Sequence, residues 1–209
     1  MFQLNQNPKV RLEKVLEDNL YIIDDFYQNP EEIVDCLLEV SGSLSLWKEN
    51  QKPHYNGIYF EDKRHSYHDP DLIPAYELLS RLCGQENLDG PDAVMTNLTR
   101  FKNSNFNDYK RCYWWPHIDQ GYNGIVYLNH DDESGTNMYQ PLYPHEPPDI
   151  PEHYQPWRSK HYYEVVYEIK PKFNRMVLFN GYIPHGMNIC NDRYFSEDYR
   201  LNQVFFFKG

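Results

Sequence analysis

From Val94 onward the chain breaks into eight short β-prone runs, at 94–101, 112–118, 124–129, 135–139, 162–169, 175–180, 185–190 and 199–207, parted by turns rich in Gly, Asn and Asp. This series constrains the fold more than any other feature of the sequence. Many short strands with regular turn punctuation fit a sandwich or a barrel. The 19 Tyr and 11 Phe agree, because wide rings pack well on pleated surfaces. One stretch interrupts the series. Residues 141–156 hold Pro141, Pro144, Pro147, Pro148, Pro151 and Pro156, with His145 and His153 among them. Proline removes ladder donors and clashes inside helices, so this insert is expected to be a long loop of the kind that serves as a lid.

The first ninety residues read differently. Leu20-Tyr21-Ile22-Ile23-Asp24-Asp25-Phe26 is one extended, β-prone run. Asn29-Pro30-Glu31-Glu32 supplies a cap, a proline at the first helical position and acids in the first turn. Ile33, Val34, Leu37 and Leu38 follow at helical spacing, predicting a helix to about Val40. Asp69-Pro70-Asp71 opens a second helix in the same way, with Leu72, Ile73, Tyr76, Leu79 and Leu82 on its buried face and Gly84 ending it. Between the two, residues 43–68 are polar, and His54, His65 and His68 read as surface side chains without metal-type spacing. The length of 209 residues fits one domain, in which 1–93 form a strand and a helical flank and 94–209 form the β core.

Charge and composition exclude several function classes. The formal net charge is −11 and no Lys/Arg run interrupts it, which argues against a nucleic-acid partner. Apolar stretches fall far short of the roughly 20 residues that span a bilayer, so no membrane partner is expected. The N-terminus lacks the basic and apolar regions of a secretory signal. Cys36, Cys83, Cys112 and Cys190 are far apart and show no C-x-x-C, so they read as reduced thiols of a cytoplasmic protein, with Cys112 and Cys190 buried.

The residues that carry chemistry lie in Tyr113-Trp114-Trp115-Pro116-His117-Ile118-Asp119. On a strand, alternate residues share a face, so His117 and Asp119 point the same way and offer an imidazole and a carboxylate to one metal ion. Ile183-Pro184-His185-Gly186-Met187 supplies His185 as a third ligand, 66 residues after Asp119. Two histidines and one carboxylate on one face of an octahedron leave open positions, the arrangement found in non-haem Fe(II) oxygenases. His130-Asp131-Asp132 repeats the spacing but falls in a polar turn and reads as solvated. In the last run Arg200, Asn202, Val204 and Phe206 share a face. A buried arginine needs a carboxylate or similar partner, which its planar fork binds bidentately.

Taken in order, H-x-D, the Tyr127-Leu128-Asn129 strand, the Gly135-Thr136 turn, the distal His185 and the final-strand Arg200 resemble the prolyl-hydroxylase-like branch of the Fe(II)/2-oxoglutarate-dependent oxygenases. The likeness covers about residues 94–207, with an echo in Tyr21–Phe26 and the helix after it. It implies a double-stranded β-helix, a jelly-roll related to the cupins, with helices on one side. It also implies His117, Asp119 and His185 as iron ligands. Arg200 would grip the distal carboxylate of 2-oxoglutarate, with Tyr127 hydrogen-bonded to the same group and Asn202 beside them. Fe(II), 2-oxoglutarate and O2 follow as cofactor and co-substrates, with ascorbate a further candidate. Arg200 lies 15 residues beyond His185, a longer gap than many members show, and Arg193 is closer in sequence. No β-prone run follows Arg193, so Arg200 is the expected clamp.

The function so implied is hydroxylation of a protein residue, an amino acid or a small metabolite, coupled to conversion of 2-oxoglutarate to succinate and CO2. The rival from another class is a cupin-like protein that holds a metal or small ligand without turnover. Arg200 and Tyr127 discriminate, since a plain metal binder needs no carboxylate clamp. A nucleic-acid demethylase, suggested by Arg200-x-Asn202, is opposed by the net charge and by the lack of a second arginine later in the strand.

Overall fold

The computed structural model describes residues 1–41, 59–66, 70–84, 93–102, 109–144, 157–196 and 198–207. In chain order these form β1 (Lys9–Val15), β2 (Asp18–Asp24), α1 (Pro30–Ser41), β3 (Tyr59–Ser66), a 3-10 turn (Pro70–Leu72) leading into α2 (Ile73–Leu82), and β4 (Ala93–Lys102). There follow β5 (Cys112–Trp114), β6 (Tyr122–Tyr127), β7 (Thr136–Pro141), β8 (Trp157–Ser159), β9 (Tyr163–Ile169), β10 (Arg175–Asn180), β11 (His185–Met187), the short α3 (Arg193–Ser196) and β12 (Arg200–Phe207). The protein is mainly β, and its paired strands are antiparallel. Seven strands form one sheet in the order β1-β2-β10-β6-β12-β4-β3; β11-β7-β9 form a second and β5-β8 a third. Among the described residues no helix is long and apolar enough to cross a membrane.

Alternation along the central strands sorts the apolar side chains into two cores. Met176 and Leu178 of β10 project to one face of the large sheet, where they join Ile23, Val126, Leu201, Phe205 and Phe207. Ile33 and Leu37 of α1 and Leu72, Ala75 and Leu79 around α2 cover that face. Val177 and Phe179, one position on in each case, project to the other face and pack with Leu20, Ile22, Tyr127, Met138, Ile169 and Ile183. Met138 and Ile169 belong to the small sheet, so the molecule is layered as helices, large sheet, small sheet. Each such side chain contributes about 1.5–3 kcal/mol on burial, and a one-residue slip in β10 would exchange the two sets.

Several expectations need correction. The described residues among the first ninety hold three strands instead of one, and both extra strands, β1 and β3, are edges of the large sheet. Edge strands are blunted with charge to prevent aggregation. Glu61-Asp62-Lys63-Arg64 of β3 and the lysines and arginine of β1 follow that rule, which hides the strands in polar composition. His65 therefore stands on β3 opposite Thr96, while His54 and His68 lie outside the described residues. The second helix begins as a 3-10 turn, whose tighter winding shifts the inward position. Leu72 is fully buried, whereas Ile73, placed on the buried face by its α-spacing, is half exposed. Gly84 does end the helix, at φ +70°. None of the four cysteines forms a disulfide, but Cys190 is exposed and Cys112 only partly buried. Residues 145–156 of the proline-rich insert lie outside the described residues; Leu142, Tyr143 and Pro144 at its start are exposed.

Asn174 fastens the helical layer to the sheet. It sits at the turn before β10 with φ +61°, a left-handed conformation that asparagine tolerates. Its Nδ2 donates to the Tyr27 carbonyl and its Oδ1 accepts from the Tyr27 N–H, both at 2.8 Å and both buried. Tyr27 in turn donates from its hydroxyl to Gln203 of β12 at 2.7 Å. Asn174→Ala leaves two buried backbone groups without partners and a Cβ residue at positive φ. It is expected to lower unfolding free energy by about 2–4 kcal/mol in urea titration. Asn174→Gly, which relieves only the backbone, should fall by less.

Candidate metal centre

The expected strand over 112–118 is broken. β5 stops at Trp114, Trp115 adopts φ +40°, and Pro116 has no N–H to donate. The chain leaves the sheet there and returns at His117 through an isolated antiparallel bridge to His185. Each histidine donates its backbone N–H to the other's carbonyl, at 3.0 Å from His117 and 2.9 Å from His185. Two residues on, the Asp119 N–H donates to the Gly181 carbonyl at 2.9 Å. Both contacts depend on glycine. A Cβ on Gly186 would meet the Trp114 carbonyl oxygen at 2.3 Å, and one on Gly181 would meet the Asp119 carbonyl oxygen at 2.7 Å. Tyr113 and Trp115 therefore do not share a strand face with His117, whereas His117 and Asp119 converge as expected.

The side chains of His117, Asp119 and His185 offer ligand atoms that all lie within 4.8 Å of one another. Asp119 Oδ2 is 3.8 Å from Nε2 of His117 and 3.4 Å from Nε2 of His185. Two ligands bound at about 2.1 Å around one cation lie about 3.0–3.4 Å apart, so both Asp119 pairs already stand within an ångström of a chelating separation. The ring orientations fit as well. His117 Nδ1 is 2.7 Å from the Trp115 carbonyl and His185 Nδ1 is 2.8 Å from the Ile183 carbonyl. A carbonyl only accepts, so the proton sits on Nδ1 in both rings and the Nε2 lone pairs face the shared point. His185 is buried with its ring 4.9 Å from Phe179. His117 and Asp119 keep about a third of their side chains exposed, which sets the accessible side of the site.

The electrostatics favour a charged carboxylate. Burial works to raise the Asp119 pKa, but hydrogen bonding and the His185, His117 and Asn123 groups around it hold it below the usual value. Asn123 Nδ2 donates to Asp119 Oδ2 at 2.5 Å and lies 3.2 Å from His185 Nε2. The sequence reading passed over Asn123. Its signal was a polar residue two and four positions before Ile125 and Tyr127, on the inward face of the same strand.

A second cluster gathers the other candidates. Arg200 stands over the Tyr127 ring at 5.7 Å, and Asn202 is paired opposite Tyr127 across β12 and β6. The Arg200 guanidinium donates to the carbonyls of Ser134 (2.9 Å) and Gly135 (3.4 Å). Among the described residues it has no ion pair with a carboxylate, and burial lowers its pKa, partly offset by Tyr127, Tyr194 and Asp131. The Tyr127 hydroxyl pairs with Thr136 Oγ1 at 2.7 Å, and Asn202 Oδ1 is buried without a hydrogen-bond partner. The rival residues go elsewhere. Arg193 is exposed and bound to Asp198 at 2.9 Å. His130 is exposed, stacked on Phe173 and 3.2 Å from Glu31.

No protein-family model matches this chain, and no curated protein matches it.

His117→Ala, Asp119→Ala and His185→Ala should each weaken Fe(II) or Co(II) binding, measured anaerobically by calorimetry, by more than the roughly 100-fold that loss of an outer partner costs. His130→Ala should leave it unchanged. Metal binding that survives in the His117 variant and fails in the His130 variant would refute the assignment.

Proposed function

We propose that this protein is a non-haem Fe(II)- and 2-oxoglutarate-dependent dioxygenase that hydroxylates a protein residue, an amino acid or a small metabolite. The observation that carries the reading is the convergence of His117, Asp119 and His185 with both Nε2 lone pairs turned to one point. Two imidazoles and one carboxylate suit Fe(II) and leave positions for other ligands.

Two further features support it. From β4 onward the chain passes back and forth between the large sheet and the smaller ones, and in the large sheet its strands take the order β10-β6-β12-β4. That winding is what a double-stranded β-helix requires, and it puts His117 and His185 on neighbouring segments. The second feature is the Arg200 cluster. A partly buried guanidinium whose hydrogen bonds among the described residues go to neutral carbonyls retains its affinity for an anion. Arg200 would take the distal carboxylate of 2-oxoglutarate, with Tyr127 and Asn202 lining the same place. Asn123 and Tyr127 stand on one face of β6, so the triad and the clamp line one interior.

Bound iron and 2-oxoglutarate would supply O2 activation and an oxidant for an unactivated C–H bond, leaving succinate and CO2. The protein's own part is to hold three ligands on one side, to fix the co-substrate through Arg200, and to keep water from His185 with Phe179 and its neighbours. Asp119, charged at neutral pH, neutralises part of the cation's charge.

Anaerobic titration with Fe(II) and 2-oxoglutarate tests the reading. The expected result is the visible charge-transfer band of a chelated 2-oxoacid. Iron binding with no such band would favour the cupin-like metal binder. Arg200→Ala should keep iron binding but raise the 2-oxoglutarate requirement roughly 30-fold or more, since breaking a buried charge pair on one side costs at least about 2 kcal/mol. Arg193→Ala should change the saturation curve little, and the reverse ranking would move the clamp to Arg193.

A further inference from the structure

We infer that Asn123 is a positioning residue that holds Asp119 and His185 in metal-binding orientation, and that it does so before any metal arrives. This rests on reading the triad as a metal centre. Asn123 is 2% exposed at the start of β6, with one neighbour on each side in the sheet, Phe179 and Phe206. Its amide nitrogen is 2.5 Å from Asp119 Oδ2 and 3.2 Å from His185 Nε2. Those are the two atoms that would ligate the ion. A carboxylate only accepts, so the group facing it is the NH2, and its two hydrogens serve the two ligand atoms at once. The amide hydrogens thus bring partial positive charge to the side of the triad where both lone pairs converge.

The other end of the same amide shows that stability does not explain the residue. Asn123 Oδ1 is buried and has no hydrogen-bond partner among the described residues. A buried orphan acceptor lowers stability, and an apolar side chain of the same shape would avoid that cost. The residue is therefore a poor choice for the core and a good one for the site. When a cation takes the His185 lone pair, the bond from Asn123 to Asp119 can persist and keep the carboxylate aimed. Holding ligands in place beforehand reduces the ordering that binding otherwise demands.

Asn123→Leu tests the inference, with Asn123→Ala as a second arm that empties the space instead of filling it. Metal-stripped full-length chains are titrated with Co(II), following both affinity and the visible Co(II) absorption, and the thermal midpoint of each metal-free chain is recorded. Expected is a ten- to hundredfold loss of Co(II) affinity in both variants, the range typical of outer partners of metal ligands. An altered Co(II) spectrum should accompany it. The metal-free midpoint of Asn123→Leu should be equal to or above that of the unaltered chain. Wild-type affinity and spectrum in either folded variant would overturn the role of Asn123 while leaving the triad standing. Loss of affinity only in step with a lowered metal-free midpoint would make Asn123 a structural residue and overturn it too. An unaltered chain that takes up no Co(II) would instead overturn the metal centre, and this inference with it.

Discussion

Two backbone hydrogen bonds, exchanged between His117 and His185, make the site possible. Residues directly opposite in an antiparallel pair project their side chains to the same side, a few ångströms apart. The two imidazole centroids accordingly lie 4.5 Å from each other. A slip by one residue would turn one ring away from the other. Gly186 guards the register, because any side chain there would strike the carbonyls of Trp114 and Trp115. Asp119 follows from the same anchoring, since its N–H is held by Gly181 at the turn that delivers His185.

The large sheet gives this pair a stable floor. Its two faces carry separate cores, one closed by helices and one closed by the small sheet. On the inner face of the β6–β12 pair the polar residues form two groups. Asn123 touches Asp119 and His185, whereas Tyr127, Asn202 and Arg200 meet at the other end of the pairing. Ile125 and its partner Val204 lie between the groups. The interior is thus divided along one strand into an end with two imidazoles and a carboxylate and an end with a guanidinium, the layout that the proposed co-substrate, bridging a metal and a guanidinium, would need.

How much of this could be read in the sequence varied with the kind of signal. The strands of the two cores were legible because Met176–Phe179 and Tyr163–Ile169 are apolar enough to stand out from their turns. The edges β1 and β3 were not, since protection from aggregation demands the charges that disguise them. Within the site, His117 and Asp119 were legible through a spacing of two that survives even though the strand before them breaks at Trp115 and Pro116. Arg200 was separable from Arg193 because only the former sits in an apolar, alternating run. Asn123 escaped notice because asparagine beside Gly121 and Gly124 reads as turn punctuation, and only the sheet register shows it facing inward.

Both histidines of the triad are oriented by the carbonyl of the residue two positions earlier, Trp115 for His117 and Ile183 for His185. In many metal sites that task falls to a neighbouring carboxylate, which a single mutation can delete. Here the acceptor is main chain and is present whatever amino acid occupies position 115 or 183. The choice of tautomer is thereby insulated from point mutation and tied to the path of the backbone. A lineage carrying this fold could change the aromatic and aliphatic residues around the proposed metal centre, adjusting what the site admits, without forfeiting the orientation of the two imidazoles.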